Sequence, residues 1–316
     1  MATFSVVGQP LAQKIIESSL VGGRVSHAYL FSGPDGTGKS VLALEFALHL
    51  TGPAEDANHP DILVSEPDGA SFKIEQARWV QRELSMKPVS AGRRVAIIKR
   101  AEKMTDEAAN SLLKILEDPP AAAVLILLTS NVNVILPTIV SRCQVIPFRP
   151  VPPGDIEGFL ASKGAPPERA HAAAALSQGI IGKALALAFE EGPGKGRALA
   201  ASCLSPAGTA NPFEKASHFP GERSEIADVL SFVAWMIRDA IAVASGASED
   251  SLLNLDMRDV IETLSRVPYE NLVRAISETV KARDRIEHNC NIQCTLELML
   301  MRLGKLISPV SGRYGR

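Results

Sequence analysis

A stretch of eight residues with the sequence GPDGTGKS has the residue types and spacing of a phosphate-binding loop. Gly33, Gly36 and Gly38 let the backbone turn so that its N–H groups point toward phosphate oxygens. Lys39 is expected to reach the β- and γ-phosphates of a nucleotide, and Ser40 to hold Mg²⁺. We therefore predict a site for ATP with Mg²⁺. A glycine-rich turn without a ligand is the alternative.

The acidic residues that usually accompany such a loop are missing from the chain. Proteins that hydrolyse ATP with this loop normally end another strand with an Asp for Mg²⁺, often followed by a Glu that positions water. Here the predicted strand 94–98 runs into Lys99 and Arg100, and Glu102 comes three residues late, on the turn that is predicted to follow. Cations at these positions would repel the metal and leave no base to orient water. The sequence thus predicts weak or absent hydrolysis, although Lys99 and Arg100 also fit a solvated strand end.

The phosphate loop needs a strand before it and a helix after it, and the flanking sequence predicts both. Strands and helices alternate through the first half of the chain, which predicts an α/β domain with a parallel sheet. The predicted strands are 27–31, 61–64, 94–98, 123–129 and 144–148, and the predicted helices include 41–50, 74–84 and 106–117. Beyond the helix breakers at 149–154 the apolar spacing is helical only.

These changes in pattern predict three domains. A nucleotide-binding domain is expected over residues 1–149, a small helical domain over 150–208 and a second helical domain over 209–316. The segment 192–223 is rich in Gly, Pro, Ser and Ala, and reads as a linker with room for short helices.

Composition sets limits on the function. The 316 residues carry a net charge of −2, which gives no overall attraction to nucleic acid or to an anionic membrane. Contact with DNA must therefore come from a local patch or from partner chains. No apolar stretch reaches the roughly 18 residues of a membrane span, and no secretory signal is evident. The four cysteines form no CxxC pair, so neither zinc nor disulfides are predicted, which fits a cytoplasmic protein.

Several phrases of the chain, taken in order, resemble the bacterial clamp-loader family of AAA+ ATPases. They are VVGQP at 6–10, SHAYLF at 26–31, NHPD at 58–61, AANSLLKILEDPP at 108–120 and LPTIVSRC at 136–143. Each phrase alone is a weak indication of the family, but the five phrases in this order are specific to it. The match is strong over the first half and weak over the C-terminal third. The resemblance implies a P-loop AAA+ sheet domain, then a small helical lid domain and an all-α collar domain that joins partner subunits.

The resemblance also assigns roles to single residues. Arg142, in the Ser-Arg-Cys motif, would project toward the ATP of a neighbouring subunit and stabilise charge there in trans. Thr129, at the end of a strand, would sense the γ-phosphate, and Lys183 would contact nucleotide from the lid. The structural alternatives are an arginine that caps a helix end, an ordinary strand-to-loop residue and a solvated helix lysine.

Two kinds of family member have to be distinguished. The motor subunit, gamma/tau, normally has an acidic strand end and a four-cysteine zinc module, whereas residues 51–57 of this chain contain no cysteine. Many non-motor members carry these cysteines too, so the chain departs from their pattern as well. The resemblance implies a non-motor subunit that binds no zinc. It would work with gamma/tau and delta subunits, and through them with the sliding clamp and primed DNA. An active gamma/tau-like ATPase is the alternative. A P-loop nucleotide kinase or small-molecule transferase would require a substrate pocket and an arginine-rich lid, which the Ala-rich segment after Pro153 does not supply.

Overall fold

The computed structural model describes residues 4–52, 59–89, 92–189, 194–205, 211–248 and 251–307. The chain separates into two compact units. The first, here called the sheet unit, comprises Met1–Phe159 and Ser177–Ala184, and the second, the helical unit, comprises Leu160–Leu176 and Leu185–Arg316. The division into three domains remains a prediction, and its boundary at 208/209 lies outside the described residues.

Five parallel strands form the sheet, in the order β2-β3-β4-β1-β5. They are β1 (Ala28–Ser32), β2 (Ile62–Ser65), β3 (Arg94–Ile98), β4 (Ala123–Thr129) and β5 (Gln144–Pro147). All seven residues of β4 are buried, as expected of an apolar strand that lies between neighbours and is covered on both faces. The α/β class predicted from the sequence is confirmed.

Fourteen α-helices are assigned within the described residues. In chain order they are α1 (Pro10–Val21), α2 (Lys39–Thr51), α3 (Ile74–Leu84), α4 (Asp106–Glu117), α5 (Pro137–Val140), α6 (Pro153–Ser162), α7 (Pro167–Leu176), α8 (Ile181–Phe189), α9 (Gly194–Leu204), α10 (Pro212–Ser217), α11 (Arg223–Ala244), α12 (Arg258–Ser265), α13 (Tyr269–Glu287) and α14 (Ile292–Ile307). No helix among the described residues is both long and apolar enough to cross a membrane.

Apolar cores lie on both faces of the sheet, because successive side chains of a strand point to opposite faces. Tyr29 and Phe31 of β1 pack into one core with residues of α1 and α2. Ala28 and Leu30 of the same strand pack into the other core with residues of α3 and α4. The strands are thereby fixed between two helical layers, and their carboxyl ends meet at one edge of the sheet.

The helical unit is built around α11, which packs against α9, α12 and α13. Leu230, Val233 and Ile237 of α11 are completely buried in a single apolar core, at the spacing of one helix face. An ion pair with a buried arginine also links two segments of this unit. Arg197 of α9 donates from Nη1 and Nη2 to the two carboxylate oxygens of Asp256, each at 2.7 Å.

Candidate nucleotide site and surface arginine

The phosphate loop connects β1 to α2, as the sequence predicts. Gly38 caps α2 with a left-handed φ of 98°, and Lys39 and Ser40 are the first two residues of the helix. A Cβ atom at Gly38 would lie 2.4 Å from Cγ2 of Val6. The glycine is therefore required both by its backbone conformation and by close packing. The loop has the local geometry that can present N–H groups to an anion at the start of a helix.

The side chain of Lys39 is folded back onto its own loop. It is only 6% exposed. Its Nζ donates to the carbonyl oxygens of Gly33 and Pro34, the latter at 2.8 Å, and to Oδ1 of Asp35 at 3.1 Å. In this arrangement acceptors within the loop occupy the ammonium group, and a phosphate would have to replace them.

Two neighbouring segments of the sheet unit also pack onto the loop. The amide of Gly182, at the start of α8, donates to the carbonyl of Gly36 at 3.1 Å. Gln9, which is 4% exposed, donates from Nε2 to the carbonyl of Arg149 at 2.7 Å and to that of Thr37 at 3.4 Å. The segment 6–10, one of the phrases that resemble the clamp-loader family, therefore contacts the loop itself. Lys183, the predicted lid residue, directly follows Gly182 in α8 and is half-buried.

Two cationic residues follow β3, and the nearest acid after them, Glu102, accepts hydrogen bonds from residues at the end of β4. Lys99 lies 3.8 Å from Glu66, measured from Nζ to Oε2, and Arg100 has a left-handed φ of 50°. Glu102 lies on the short 3-10 turn that follows. Its Oε2 accepts from Oγ1 of Thr129 at 2.9 Å and from the amide of Ser130 at 3.1 Å, and its Oε1 accepts from the Ser130 hydroxyl at 3.0 Å.

These hydrogen bonds decide the charge state of Glu102. Burial raises its pKa, but hydrogen bonds from its own backbone, from Thr129 and from Ser130 together outweigh burial. The net result is a pKa below the ordinary value of a glutamate. The resemblance predicts that the Thr129 hydroxyl senses the γ-phosphate. In this structure the hydroxyl donates a hydrogen bond to the Glu102 carboxylate instead.

Arg142 lies at the surface just after α5. Its side chain is 36% exposed. Nη2 donates to Oε1 of Glu117 at 2.8 Å, and Nη1 donates to the carbonyl of Thr138 at 3.0 Å and to Oγ of Ser141 at 3.4 Å. Glu117 is the last residue of α4 and is 55% exposed. The contact with Thr138 is the helix-end cap that the structural alternative expects. The guanidinium nevertheless remains partly open to solvent.

The sites predicted from the sequence form two groups. One group lies around the carboxyl ends of β1 and β4 and contains the loop residues, Thr129 and the start of α8. The Gly33 amide donates to the Thr129 carbonyl at 3.1 Å, and the Gly182 amide donates to the Gly36 carbonyl. Arg142 instead contacts Glu117 at the end of α4 and Thr138 of α5. Sequence reasoning missed the partners Glu102 and Glu117, because neither lies near its partner in the chain.

No cluster of three or more His, Cys, Asp or Glu residues suited to a metal ion occurs in the part of the chain that the structure describes. Burial raises the pKa of the Cys143 thiol to about 12, so this neighbour of Arg142 stays protonated. Residues 53–58 lie outside the described residues. They include Asn58 of the NHPD phrase and most of the interval predicted to lack zinc.

A five-stranded parallel sheet in this order, with GPDGTGKS between β1 and α2, defines a P-loop protein of the AAA+ class. Two family models match the chain: DNA polymerase III, delta subunit, over residues 8–152, and DNA polymerase III, delta subunit, C terminal, over residues 207–305. DNA polymerase III subunit delta' of Bacillus subtilis is 31% identical, over 93% of this chain and 96% of that protein. The chain belongs to the DNA polymerase III delta-prime family of clamp-loader subunits.

Other relatives match in part. DNA polymerase III subunit gamma/tau of Mycobacterium tuberculosis is 36% identical, but over 49% of this chain and 30% of that protein. The crystal structure of a DNA polymerase III gamma subunit-related protein from Thermotoga maritima has a TM-score of 0.52 and 21% identity, and covers 93% of this chain and 99% of that one. That likeness supports the fold alone.

Proposed function

We propose that this chain completes the ATP site of a neighbouring clamp-loader subunit with Arg142, and hydrolyses little or no ATP itself. Its partners would be gamma/tau and delta subunits in the cytoplasm. Through that complex the chain would act on the sliding clamp and on primed DNA. The lid domain would cover residues 150–208, and the collar domain residues 209–316.

The observation that carries this proposal is the partly exposed guanidinium of Arg142 on the surface of the sheet unit. A planar guanidinium beside a γ-phosphate stabilises the charge that develops during phosphoryl transfer. It can be supplied by a different chain from the one that binds the nucleotide. An exposed ion pair such as that with Glu117 is worth at most about 1 kcal/mol, so an approaching phosphate can replace the carboxylate at little cost.

Three features support weak or absent hydrolysis by the chain itself. Lys99 and Arg100 stand where acids would organise Mg²⁺. Glu102, the nearest acid, already accepts hydrogen bonds from Thr129 and Ser130. Lys39 is turned onto its own loop. The loop could still hold ATP with Mg²⁺ in an unproductive way. Its glycines and Ser40 would then cradle the phosphates, and Thr129 and Lys183 would lie beside them.

The test is ATP turnover by a loader reconstituted from this chain with gamma/tau and delta subunits. We expect Arg142→Ala to leave folding and assembly intact, as judged by thermal unfolding and size-exclusion chromatography, and to lower turnover. Arg142→Lys is the matched control, because lysine keeps the positive charge but lacks the planar guanidinium with its paired donors. Its turnover should lie between those of Arg142→Ala and the wild type. Unchanged turnover with Arg142→Ala would defeat the proposal.

An active gamma/tau-like ATPase is the second candidate, and the complete loop at the start of α2 favours it. A steady-state assay of the isolated chain separates the two. Turnover comparable with that of motor subunits, and lost with Lys39→Ala, would establish the second candidate.

A further inference from the structure

A surface groove of about 330 Å³ lies between α13 and α14 of the helical unit. Arg274 and Lys281 line it from α13, and Arg302 and Lys305 line it from α14. The acid among its lining residues is Glu278 of α13. We call this feature the α13–α14 groove. It belongs to a chain whose overall charge is −2, so the cations are concentrated locally and do not reflect a basic protein.

Glu278 organises two of the four cations. It is only 18% exposed, and its Oε1 accepts from Nζ of Lys281 at 3.1 Å while its Oε2 accepts from Nη1 of Arg302. Hydrogen bonds from Arg302 first, and then from Lys281, keep the pKa of Glu278 below its ordinary value. The carboxylate therefore stays ionised near neutral pH and draws two cationic groups from different helices to one place.

The other two cations have no such partner. Arg274 and Lys305 are exposed, and neither forms an ion pair with any residue in the described part of the chain. Among the described residues that line the groove, four cations against one carboxylate leave a surplus of three positive charges. Like charges held this close repel one another, and an anion placed among them would relieve that repulsion.

We infer that the α13–α14 groove binds the phosphodiester backbone of a nucleic acid. An acidic peptide is the competing ligand, but peptides gain most of their affinity from apolar anchors, and Leu306 is the apolar residue that lines the groove. Phosphate contacts need only cations and released counterions. The lining residues that the structure describes include no aromatic side chain on which a base could stack, so binding would be independent of sequence.

The experiment measures binding of fluorescein-labelled oligothymidylate to the full chain by fluorescence anisotropy over a series of salt concentrations. The variant is Arg274→Gln/Lys305→Gln, which removes the two unpaired cations and leaves the Glu278 cluster untouched. Each phosphate contact to a single strand contributes about 0.7 to the slope of log affinity against log salt. We therefore expect the variant to bind more weakly, with a slope shallower by about 1.4.

The matched control is Arg266→Gln/Arg285→Gln, which removes the same charge from exposed positions of the helical unit that do not line the groove. It should keep the wild-type slope. Equal slopes for the groove variant and the control would overturn the inference, as would a wild-type chain that binds no oligothymidylate at low salt. Tighter binding of polyglutamate than of oligothymidylate would assign the groove to an acidic peptide. This test is independent of Arg142.

Discussion

Nη2 of Arg142 donates a hydrogen bond to Oε1 of Glu117 at 2.8 Å, so the arginine proposed to act on a neighbour's nucleotide is paired within its own subunit. The pair joins the end of α4 to the residue that follows the α5 cap. Both partners are partly exposed, with 36% and 55% of their side chains open to solvent. The carboxylate and an incoming phosphate would therefore compete for the same guanidinium.

This competition predicts the effect of Glu117→Gln. The variant should tighten ATP binding by the reconstituted loader, lowering its KM by at most about fivefold, since an exposed pair is worth at most about 1 kcal/mol. Thermal stability of the isolated chain should hardly change. In an Arg142→Ala background the same substitution should have no effect on KM. An equal shift in both backgrounds would show that Glu117 acts by another route.

A second prediction concerns Lys39. Replacement by Ala removes the Lys39 donor from the Gly33 carbonyl, while the Pro34 carbonyl keeps the hydrogen bond from Oγ1 of Thr37 at 2.7 Å, and the loss should cost roughly 1–3 kcal/mol of unfolding free energy. Turnover of the reconstituted loader should stay near the wild-type value, because the proposed function assigns hydrolysis to the neighbouring subunit. Urea unfolding and a coupled ATPase assay measure the two quantities. A large fall in turnover with an intact complex would contradict the prediction.

Glu102 gives a prediction about pH. Its pKa is lower in the folded chain than its ordinary value, so the ionised carboxylate stabilises the fold above the ordinary glutamate pKa of about 4.3. That stabilisation is lost as pH falls through the lowered folded pKa. The stability gap between wild type and Glu102→Gln should therefore shrink from about pH 7 to about pH 3. Glu75→Gln, on the exposed face of α3, is the control and should show a smaller change.

The ion pair between Arg197 and Asp256 gives a prediction about stability. Arg197 is 4% exposed and Asp256 is 19% exposed, and Arg197→Ala leaves a partly exposed carboxylate without its cation, which should cost roughly 1–3 kcal/mol of unfolding free energy. Arg258→Ala removes an exposed pair with Glu262 and should cost no more than about 1 kcal/mol. Chemical denaturation of the two variants measures both values. Similar losses would mean that the pair with the buried arginine contributes no more than a surface pair.

Much of the sheet unit could be predicted because its signals are local. The apolar run 123–129 became β4, the pattern at 106–117 became α4, and the glycines of the loop fixed the turn between β1 and α2. In each case residues that are close in the chain determine the element. Continuous apolar residues define β4, the Thr105 cap and the following prolines define the ends of α4, and a left-handed glycine defines the turn before α2.

The contacts between distant residues could not be predicted in this way. Glu102 and Thr129 are 27 residues apart, and Arg142 and Glu117 are 25 apart. Their meeting depends on the pairing of β3 with β4 and on where α4 ends. The small residues at 192–223 predict a linker with room for short helices. Two helices, α9 and α10, lie in this segment, but α9 does more than connect, because its Ala200 and Leu204 lie in the core of the helical unit.

The glycines of the phosphate loop have a consequence for how such motifs are interpreted. A side chain at Gly38 would collide with Val6, and one at Gly36 would lie 2.6 Å from Cγ2 of Ile180. Both positions are thus constrained by close local contacts and by a left-handed backbone, whether or not a nucleotide ever binds. In a lineage that lost ATP hydrolysis, selection for a stable fold alone would preserve this part of the motif. A match to it in a genome records ancestry and architecture more directly than catalytic activity.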